Sequence, residues 1–356
     1  MIYLKKVIII SFLLIGLFPC SVKANNEIFE NYIVMDIESK RIFYEKAKDI
    51  KILPASTTKI MTALVAIENS NLSDVVKVGD EILTIDGANI YEEIGENILM
   101  QDLLYGMILR SGNDAAMTIA RHTSGSVEKF VKLMNEKSRK LNLKNTIFNN
   151  PTGLDDNEKN YSSVHDLALL YSSAYKNKTF REIIGTLNYK ASSDKKSYYF
   201  INRSKIISMD DRITGAKTGY TPQAGRVLVS SAKDNDLNIV ISTKGNDYGY
   251  KNHINFYNDI FNKYKKYKIL DNKTFKINSK LKGKLYIKNS FSYPLAKVEI
   301  DKISKKIVFN KKKEGIVGEV LIYFDSDLIH KESVYLKKEH QSFISKIKQF
   351  FINLVA

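Results

Sequence analysis

Apolar and polar residues alternate along residues 32–38 (YIVMDIE) and 41–45 (RIFYE). These two runs are rich in β-branched and aromatic residues and flank a short polar turn, which predicts a β-hairpin. Pro54 then breaks the chain. Over 57–68, Ile60, Met61, Leu64, Val65 and Ile67 place apolar side chains on both flanks of a helix, so that helix is expected to be buried. Between 100 and 143 the period becomes helical in three segments: Leu103, Leu104, Met107 and Ile108, then Ala116, Ile119 and Ala120, then Phe130, Val131 and Met134. Gly112 and Gly125 punctuate them. Strand character returns over 226–232 (RVLVSSA) and 237–243 (LNIVIST) around the turn 233–236, and a closing helix over 252–267 carries Ile254, Phe256, Ile260 and Phe261. Strands at both ends of a region with helices between them predict one sheet assembled from distant segments and a helical lobe, with a cleft between the two.

Beyond 267 the pattern shortens. Strand-like pieces at 284–287, 296–300, 306–309 and 318–324 are separated by Gly, Asn and Lys, which predicts a small β domain over 268–336 following a main domain over 25–267. In the last segment, 337–356, Phe343, Ile344, Ile347, Phe350, Phe351, Leu354 and Val355 recur at helical spacing, with Lys346, Lys348, Gln349 and Asn353 opposite. This predicts an amphipathic helix lying in a membrane interface. At the other end, Lys5 and Lys6 precede an apolar run over 7–18 and a small-residue exit at Val22, Lys23 and Ala24. That is the form of a secretory signal peptide over 1–24, too short to span a bilayer comfortably, so an exported protein is expected at the outer face of the cell membrane or in the wall.

Charge sharpens this division. The chain carries 55 Lys+Arg against 39 Asp+Glu, a formal +16, yet residues 263–356 hold 22 Lys and 9 acidic residues. With the three lysines of the leader set aside, 25–262 is close to neutral, so the basic character belongs to the carboxy-terminal module. Outside a membrane its anionic neighbours would be lipid headgroups or wall polymers, and nucleic acid is not an expected partner. Cys20, the one cysteine, lies in the leader, so no disulfide or thiolate metal site is expected in the exported chain. The five histidines lack metal-ligand spacing, no GxSxG elbow occurs, and Glu92-Glu93 and Asp155-Asp156 read as solvated loop charges.

The candidate chemistry lies in three short segments. Ser56-Thr57-Thr58-Lys59 sets a hydroxyl and an amine one helical turn apart on one face, within reach of a hydrogen bond. A serine alcohol needs a base to become a nucleophile, and lysine supplies one only when burial or a nearby cation keeps its amine neutral. Ser111-Gly112-Asn113 offers a hydroxyl and an amide on a glycine corner between helical segments. Lys217-Thr218-Gly219, before Tyr220, offers a cation, a hydroxyl and a residue whose missing side chain lets a peptide lie flat against a strand.

Together these resemble the SxxK, SxN and KTG elements of penicillin-binding proteins and class A β-lactamases. Residues 53–64 (LPASTTKIMTAL), 106–116 (GMILRSGNDAA), 149–154 (NNPTGL) and 215–225 (GAKTGYTPQAG) are similar to the low-molecular-mass penicillin-binding proteins, serine-type D-alanyl-D-alanine carboxypeptidases, over about 32–267. Gly112 stands where the β-lactamases have aspartate, which agrees with the carboxypeptidase side. The resemblance implies an α/β (α+β) fold, with helices on both faces of a β-lactamase-like sheet, a helical lobe, then the small β domain and terminal helix. It implies Ser56 as acylated nucleophile and Lys59 as general base, with Ser111 and Lys217 relaying the proton to the departing D-alanine. Asn113 and Thr218 would hold the substrate amide and terminal carboxylate. Gly219 and Tyr220 would complete the binding strand, with the N–H groups of Ser56 and Tyr220 as the oxyanion hole.

The implied substrate is a peptidoglycan stem peptide ending in D-Ala-D-Ala, β-lactams would be covalent inhibitors, and no cofactor or metal is implied. The family often places a further basic residue near the carboxylate, a role no motif fixes on Lys251. Endopeptidase or transpeptidase action shares these motifs. β-Lactamase action needs a glutamate-held water, and no Glu-x-x-Leu-Asn segment lies between Asn113 and Lys217. A catalytically silent wall-binding or penicillin-sensing module is the non-enzymatic alternative, against which every polar group of the mechanism is present.

Overall fold

A computed structural model describes residues 28–155, 159–277, 283–310 and 315–337. The expected leader, 1–24, and all but Lys337 of the expected terminal helix lie outside the described residues. Among the described residues, no helix is long and apolar enough to cross a membrane.

The hairpin is β1 (Phe29–Asp36) and β2 (Ile42–Lys46), antiparallel. A short 3-10 turn at Ala55–Thr58 runs into α1 (Lys59–Asn69), which is buried on nearly every side, as its two apolar flanks require. The lobe follows, with the pair β3 (Val75–Lys77) and β4 (Asn97–Leu99), then α2 (Met100–Tyr105), α3 (Asn113–Ser124), α4 (Val127–Lys140), α5 (Val164–Ala174) and α6 (Lys178–Gly185). Side chains start three of these helices: Ser126 Oγ accepts from Lys129 N, Ser163 Oγ from Asp166 N and Asn177 Oδ1 from Phe180 N. A second hairpin, β5 (Asn188–Ser192) and β6 (Ser197–Ile201), precedes β7 (Ile213–Thr221), β8 (Gly225–Asp234), β9 (Leu237–Gly245) and α7 (Tyr250–Lys263).

The central sheet has the order β2-β1-β9-β8-β7, every neighbouring pair antiparallel. Because side chains alternate across a strand, Ile33, Met35, Val227, Val229 and Val240 face the helical lobe, whereas Val34, Leu228, Ile239 and Ile241 face α7. Both faces are covered, which leaves β7 at one edge of the sheet, beside the turn that carries Ser56.

Helical periodicity runs on to 267, but α7 stops at Lys263 and Tyr264–Leu270 forms β10. The strand wins because it pairs antiparallel with a distant segment and because Tyr264 packs edge-on against Phe43, ring centroids 4.6 Å apart. After β11 (Lys284–Ile287) that distant segment is β12 (Phe291–Ala296), and the expected strand at 296–300 is a 3-10 turn over Lys297–Lys302. With β13 (Ile303–Phe309), β14 (Gly315–Phe324) and β15 (Asp327–Lys337), β11 builds a sheet of order β11-β15-β14-β13 around its own core of Leu285, Ile287, Val317, Val320, Ile322 and Val334.

Candidate active site

Ser56 sits on the turn before α1, between Ala55 at φ 47° and the start of the helix, with its side chain partly exposed. One turn on, Lys59 is fully buried and its Nζ donates to Ser56 Oγ (3.2 Å), Asn113 Oδ1 (2.6 Å) and the carbonyl of Thr152 (2.7 Å). A neutral amine needs only two N–H groups for the acceptor-only oxygens of Asn113 and Thr152, which leaves its lone pair facing the Ser56 hydroxyl. Burial, helped by the nearby Lys217 charge and opposed by Asp114, drives the Lys59 amine well below the usual lysine range.

Asn113 reaches Lys59 with a defined orientation. Its Nδ2 donates to Asp86 O (2.7 Å), which leaves Oδ1 for Lys59, and its backbone N–H donates to Ala88 O (2.7 Å). The 86–92 loop is held in turn by Asp114, whose carboxylate accepts the N–H groups of Ile90 (3.0 Å) and Tyr91 (2.7 Å). Ser111 closes the π-helical turn Gly106–Arg110 in the left-handed region, φ 64°, which aims its hydroxyl out of the helix toward the sheet. At Gly112 an added Cβ would stand 3.0 Å from both Asp114 Oδ1 and Ile90 Cγ2, so the loop docking leaves little room for the aspartate of the β-lactamase pattern.

From the opposite wall, β7 sends Lys217, whose Nζ donates to Ser111 Oγ (2.9 Å) and to Thr218 O (2.9 Å). Burial first, and the Arg203 charge second, bring its pKa down to about 7. Thr218 lies next to it, nearly buried, and Tyr220 is exposed. Gly219 has a role that the flat-strand expectation does not contain: an added Cβ would meet Pro54 O at 2.9 Å and Ser56 N at 3.0 Å, so the glycine is what lets β7 approach the Ser56 turn. The three motifs thus converge in one cleft. Lys251 does not join them; it is exposed on the first turn of α7 and makes no hydrogen bond or ion pair with the cluster.

Segment 149–154 contributes more than a turn. Thr152 supplies the carbonyl that holds Lys59, Pro151 O accepts from Thr62 Oγ1 (2.6 Å), and Gly153, at φ 88°, passes so close that a Cβ would lie 1.9 Å from Ala55 O. Two carboxylates read as solvated are buried. Asp155 accepts from Thr221 Oγ1 at the end of β7 (2.6 Å), and Glu92 accepts from Thr118 Oγ1 (2.6 Å). Burial and the neighbouring Asp114 push the Glu92 carboxyl well up. Glu93 is solvated as expected, and Asp156 lies outside the described residues. His253 is buried between Ser230 Oγ (2.7 Å) and Thr243 Oγ1 (3.0 Å), and burial lowers its pKa to about 3. Among the described residues no group of acidic, histidine or cysteine side chains could hold a metal ion.

A family model described as D-alanyl-D-alanine carboxypeptidase matches residues 21–247. The D-alanyl-D-alanine carboxypeptidase DacF of Bacillus subtilis is 34% identical over 214 residues, 58% of this chain and 55% of that protein, so the chain spans about half the length of this relative. Penicillin binding protein 5 of Haemophilus influenzae shares the fold with a TM-score of 0.74 at 24% identity, covering 87% of this chain and 97% of that one. A mutant of the Streptomyces K15 DD-transpeptidase superposes with a TM-score of 0.61 at 28% identity, covering 66% and 96%.

Proposed function

Because this chain belongs to the D-alanyl-D-alanine carboxypeptidase family, we propose that it removes the terminal D-alanine from peptidoglycan stem pentapeptides through an acyl-enzyme on Ser56. One observation carries the reading: a fully buried, charge-disfavoured Lys59 amine hydrogen-bonded to a partly exposed serine hydroxyl. As Ser56 Oγ attacks the penultimate D-alanine carbonyl carbon, its proton passes to Lys59 Nζ and an Oγ–C bond forms. The N–H groups of Ser56 and Tyr220 stabilise the oxyanion, each such donor typically contributing roughly a hundredfold to a thousandfold in rate. When the C–N bond breaks, the leaving amine takes a proton through Lys217 and Ser111, which are already bonded to each other. Thr218 and the Lys217 charge receive the terminal carboxylate, and Asn113 Oδ1 receives the peptide N–H. Water then releases the acyl group and regenerates Ser56.

Slow release is part of the reading. Among the described residues no carboxylate hydrogen-bonds Ser56 or Lys59, and no Glu-x-x-Leu-Asn segment of the kind that serves deacylation in class A β-lactamases lies between Asn113 and Lys217. Penicillin therefore forms a long-lived adduct, and rapid turnover in stopped flow would refute this. The same cleft admits an amine acceptor instead of water, and the likeness to a DD-transpeptidase makes transpeptidation the second reading. Incubation with a pentapeptide, with and without an amine acceptor, followed by mass spectrometry tests both. D-Alanine release that disappears in Ser56→Ala supports the enzyme, and release that survives in Ser56→Ala sinks it.

In the same proposal the leader exports the chain, and the amphipathic pattern over 343–355 lays its end on lipid headgroups, with the basic β module lifting the cleft from the surface. Truncation after Lys338 should then release the protein from membranes in a fractionation, and full retention would count against anchoring.

A further inference from the structure

Asp155 is a buried carboxylate that the proton transfers above leave unused, and it sits where two walls of the cleft meet. Thr221, the last residue of β7 and itself buried, donates its hydroxyl to Asp155 Oδ2 at 2.6 Å. The same hydroxyl oxygen accepts the N–H of Ala224 at 2.9 Å, across the turn that leads into β8. With its proton and a lone pair both engaged, the Thr221 hydroxyl is held in one orientation, and Asp155 thereby grips the end of the edge strand.

The grip closes a ring of contacts around the nucleophile. From Asp155 the chain runs back through Leu154 to Gly153, which abuts the carbonyl of Ala55, the residue before Ser56. β7 returns to the same turn at Gly219, which abuts Ser56 N. Two of the three links are close backbone approaches that only a glycine permits, and the third is the bond between Asp155 and Thr221. The 150–154 turn is itself wound on Asn150, whose Oδ1 accepts the N–H groups of Thr152 (3.1 Å) and Gly153 (2.7 Å) and whose Nδ2 donates to Leu154 O (3.0 Å). Tyr220 is therefore held from both ends, by the Gly219 contact before it and by the Thr221 bond after it.

The ring sets the direction of one N–H. Residues along an antiparallel edge strand turn their N–H and C=O groups alternately to the neighbouring strand and to the open side. Thr218 turns its carbonyl to the open side, where Lys217 Nζ donates to it, so Tyr220, two residues on, turns its N–H the same way, into the cleft.

We propose that Asp155 is a positioning residue for the reaction: through Thr221 it fixes the Tyr220 N–H against the Ser56 N–H, so that the two donors converge on the developing oxyanion. This rests on the carboxypeptidase reading for the identity of those donors. The test measures the rate of acylation by penicillin together with the infrared stretch of the ester carbonyl in the Ser56 adduct, a band that hydrogen bonds to the carbonyl oxygen lower. In Thr221→Val, which keeps the shape and removes the hydroxyl, acylation should slow by about tenfold or more, short of the roughly hundredfold typical of an oxyanion donor removed outright, and the band should move to higher wavenumber. Thr221→Ser should restore both. Asp155→Ala breaks the same bond from the other side and serves should the valine variant not fold; combined with Thr221→Val it should cost nothing beyond the slower single variant. An unchanged rate and band in these variants overturns the proposal, and so does slower acylation with the band unmoved, which would make the bond a structural clamp without a hold on the oxyanion site. A wild type whose adduct shows the lowered band, moved by these variants, yet which releases no D-alanine from a pentapeptide, keeps Asp155 as the positioning residue and removes the carboxypeptidase reading alone.

Discussion

Lys217 crosses from the edge strand of the sheet to donate to Ser111 Oγ at 2.9 Å, joining the two walls of the cleft through a buried amine. The same amine is one of the charges that disfavour protonation of Lys59. Acylation by penicillin should therefore rise with pH as Lys59 becomes neutral, then level or fall above neutrality as Lys217, near 7, loses its charge. The two limbs belong to the pair as a whole. In Lys217→Gln the repulsion on Lys59 is gone, so the rising limb should move to higher pH while the maximal rate drops about a hundredfold. A pH profile of acylation rates that falls in amplitude without moving would show that Lys217 does not act on Lys59.

Gly153→Ala tests the wedge between the 149–154 turn and the turn that carries Ser56. The new methyl would fall 1.9 Å from Ala55 O on a backbone at φ 88°, so the Ser56 turn or the whole loop must move. The expected cost is about 3 kcal/mol, with loss of fluorescent penicillin labelling under conditions where the variant is still folded. Full labelling with an unchanged melting temperature would mean the contact is not maintained.

Glu92→Gln should stabilise the protein in a pH-dependent way. The raised folded pKa means the folded chain keeps a proton that the unfolded chain releases above its ordinary value of 4.5. Stability from this group is complete below that value and is lost as pH rises through the window up to the folded pKa, at up to about 1.4 kcal/mol per pH unit. Glutamine keeps the shape and the bond from Thr118 without titrating, so urea midpoints of variant and wild type should coincide near pH 4.5 and separate at pH 8 in favour of the variant. A gap independent of pH would mean that Glu92 is already ionised in the fold.

Arg41 is the joint between the main sheet and the second β module. It pairs with Glu299 (2.7 Å), donates to Pro294 O (2.5 Å) and lies within 5.4 Å of four ring centroids, those of Phe43, Tyr264, Tyr293 and Phe324. Arg41→Ala strands Glu299 and empties the aromatic box, which should cost about 3 kcal/mol and admit protease near β10, with penicillin acylation unaltered. Unchanged proteolysis and unfolding would show that the two modules are held together by other contacts.

The main hairpin, α1 and the β8–β9 pair are legible in the chain because each depends on local pattern, a period or a turn residue, whereas Ser56, Lys59, Ser111, Asn113 and Lys217 are singled out by the resemblance of three short motifs. What was not legible depends on partners far away in sequence. Tyr264 continues a helical period yet becomes a strand, since β12 supplies hydrogen bonds that local propensity cannot anticipate. Glu92 and Asp155 look like loop charges because burial has no local signature. Helices α5 and α6 and the β5–β6 hairpin have no clear signature in the sequence; α5 buries eight of its eleven residues, Asp166 and Ser172 among them, so its polar pattern does not mark one exposed face, and the hairpin strands are only five residues each.

The sequence by itself determined the candidate groups in three short motifs: the hydroxyls of Ser56, Ser111 and Thr218, the amines of Lys59 and Lys217, the amide of Asn113 and a glycine, Gly219. Only the tertiary structure decided that Lys59 meets Asn113 across 54 residues, that Lys217 meets Ser111 across 106, and that a plain backbone carbonyl of Thr152 completes the shell. The physical reason is desolvation. An amine loses its proton because packed neighbours have displaced water from around it, and that exclusion is made by many segments at once, none of which carries it alone.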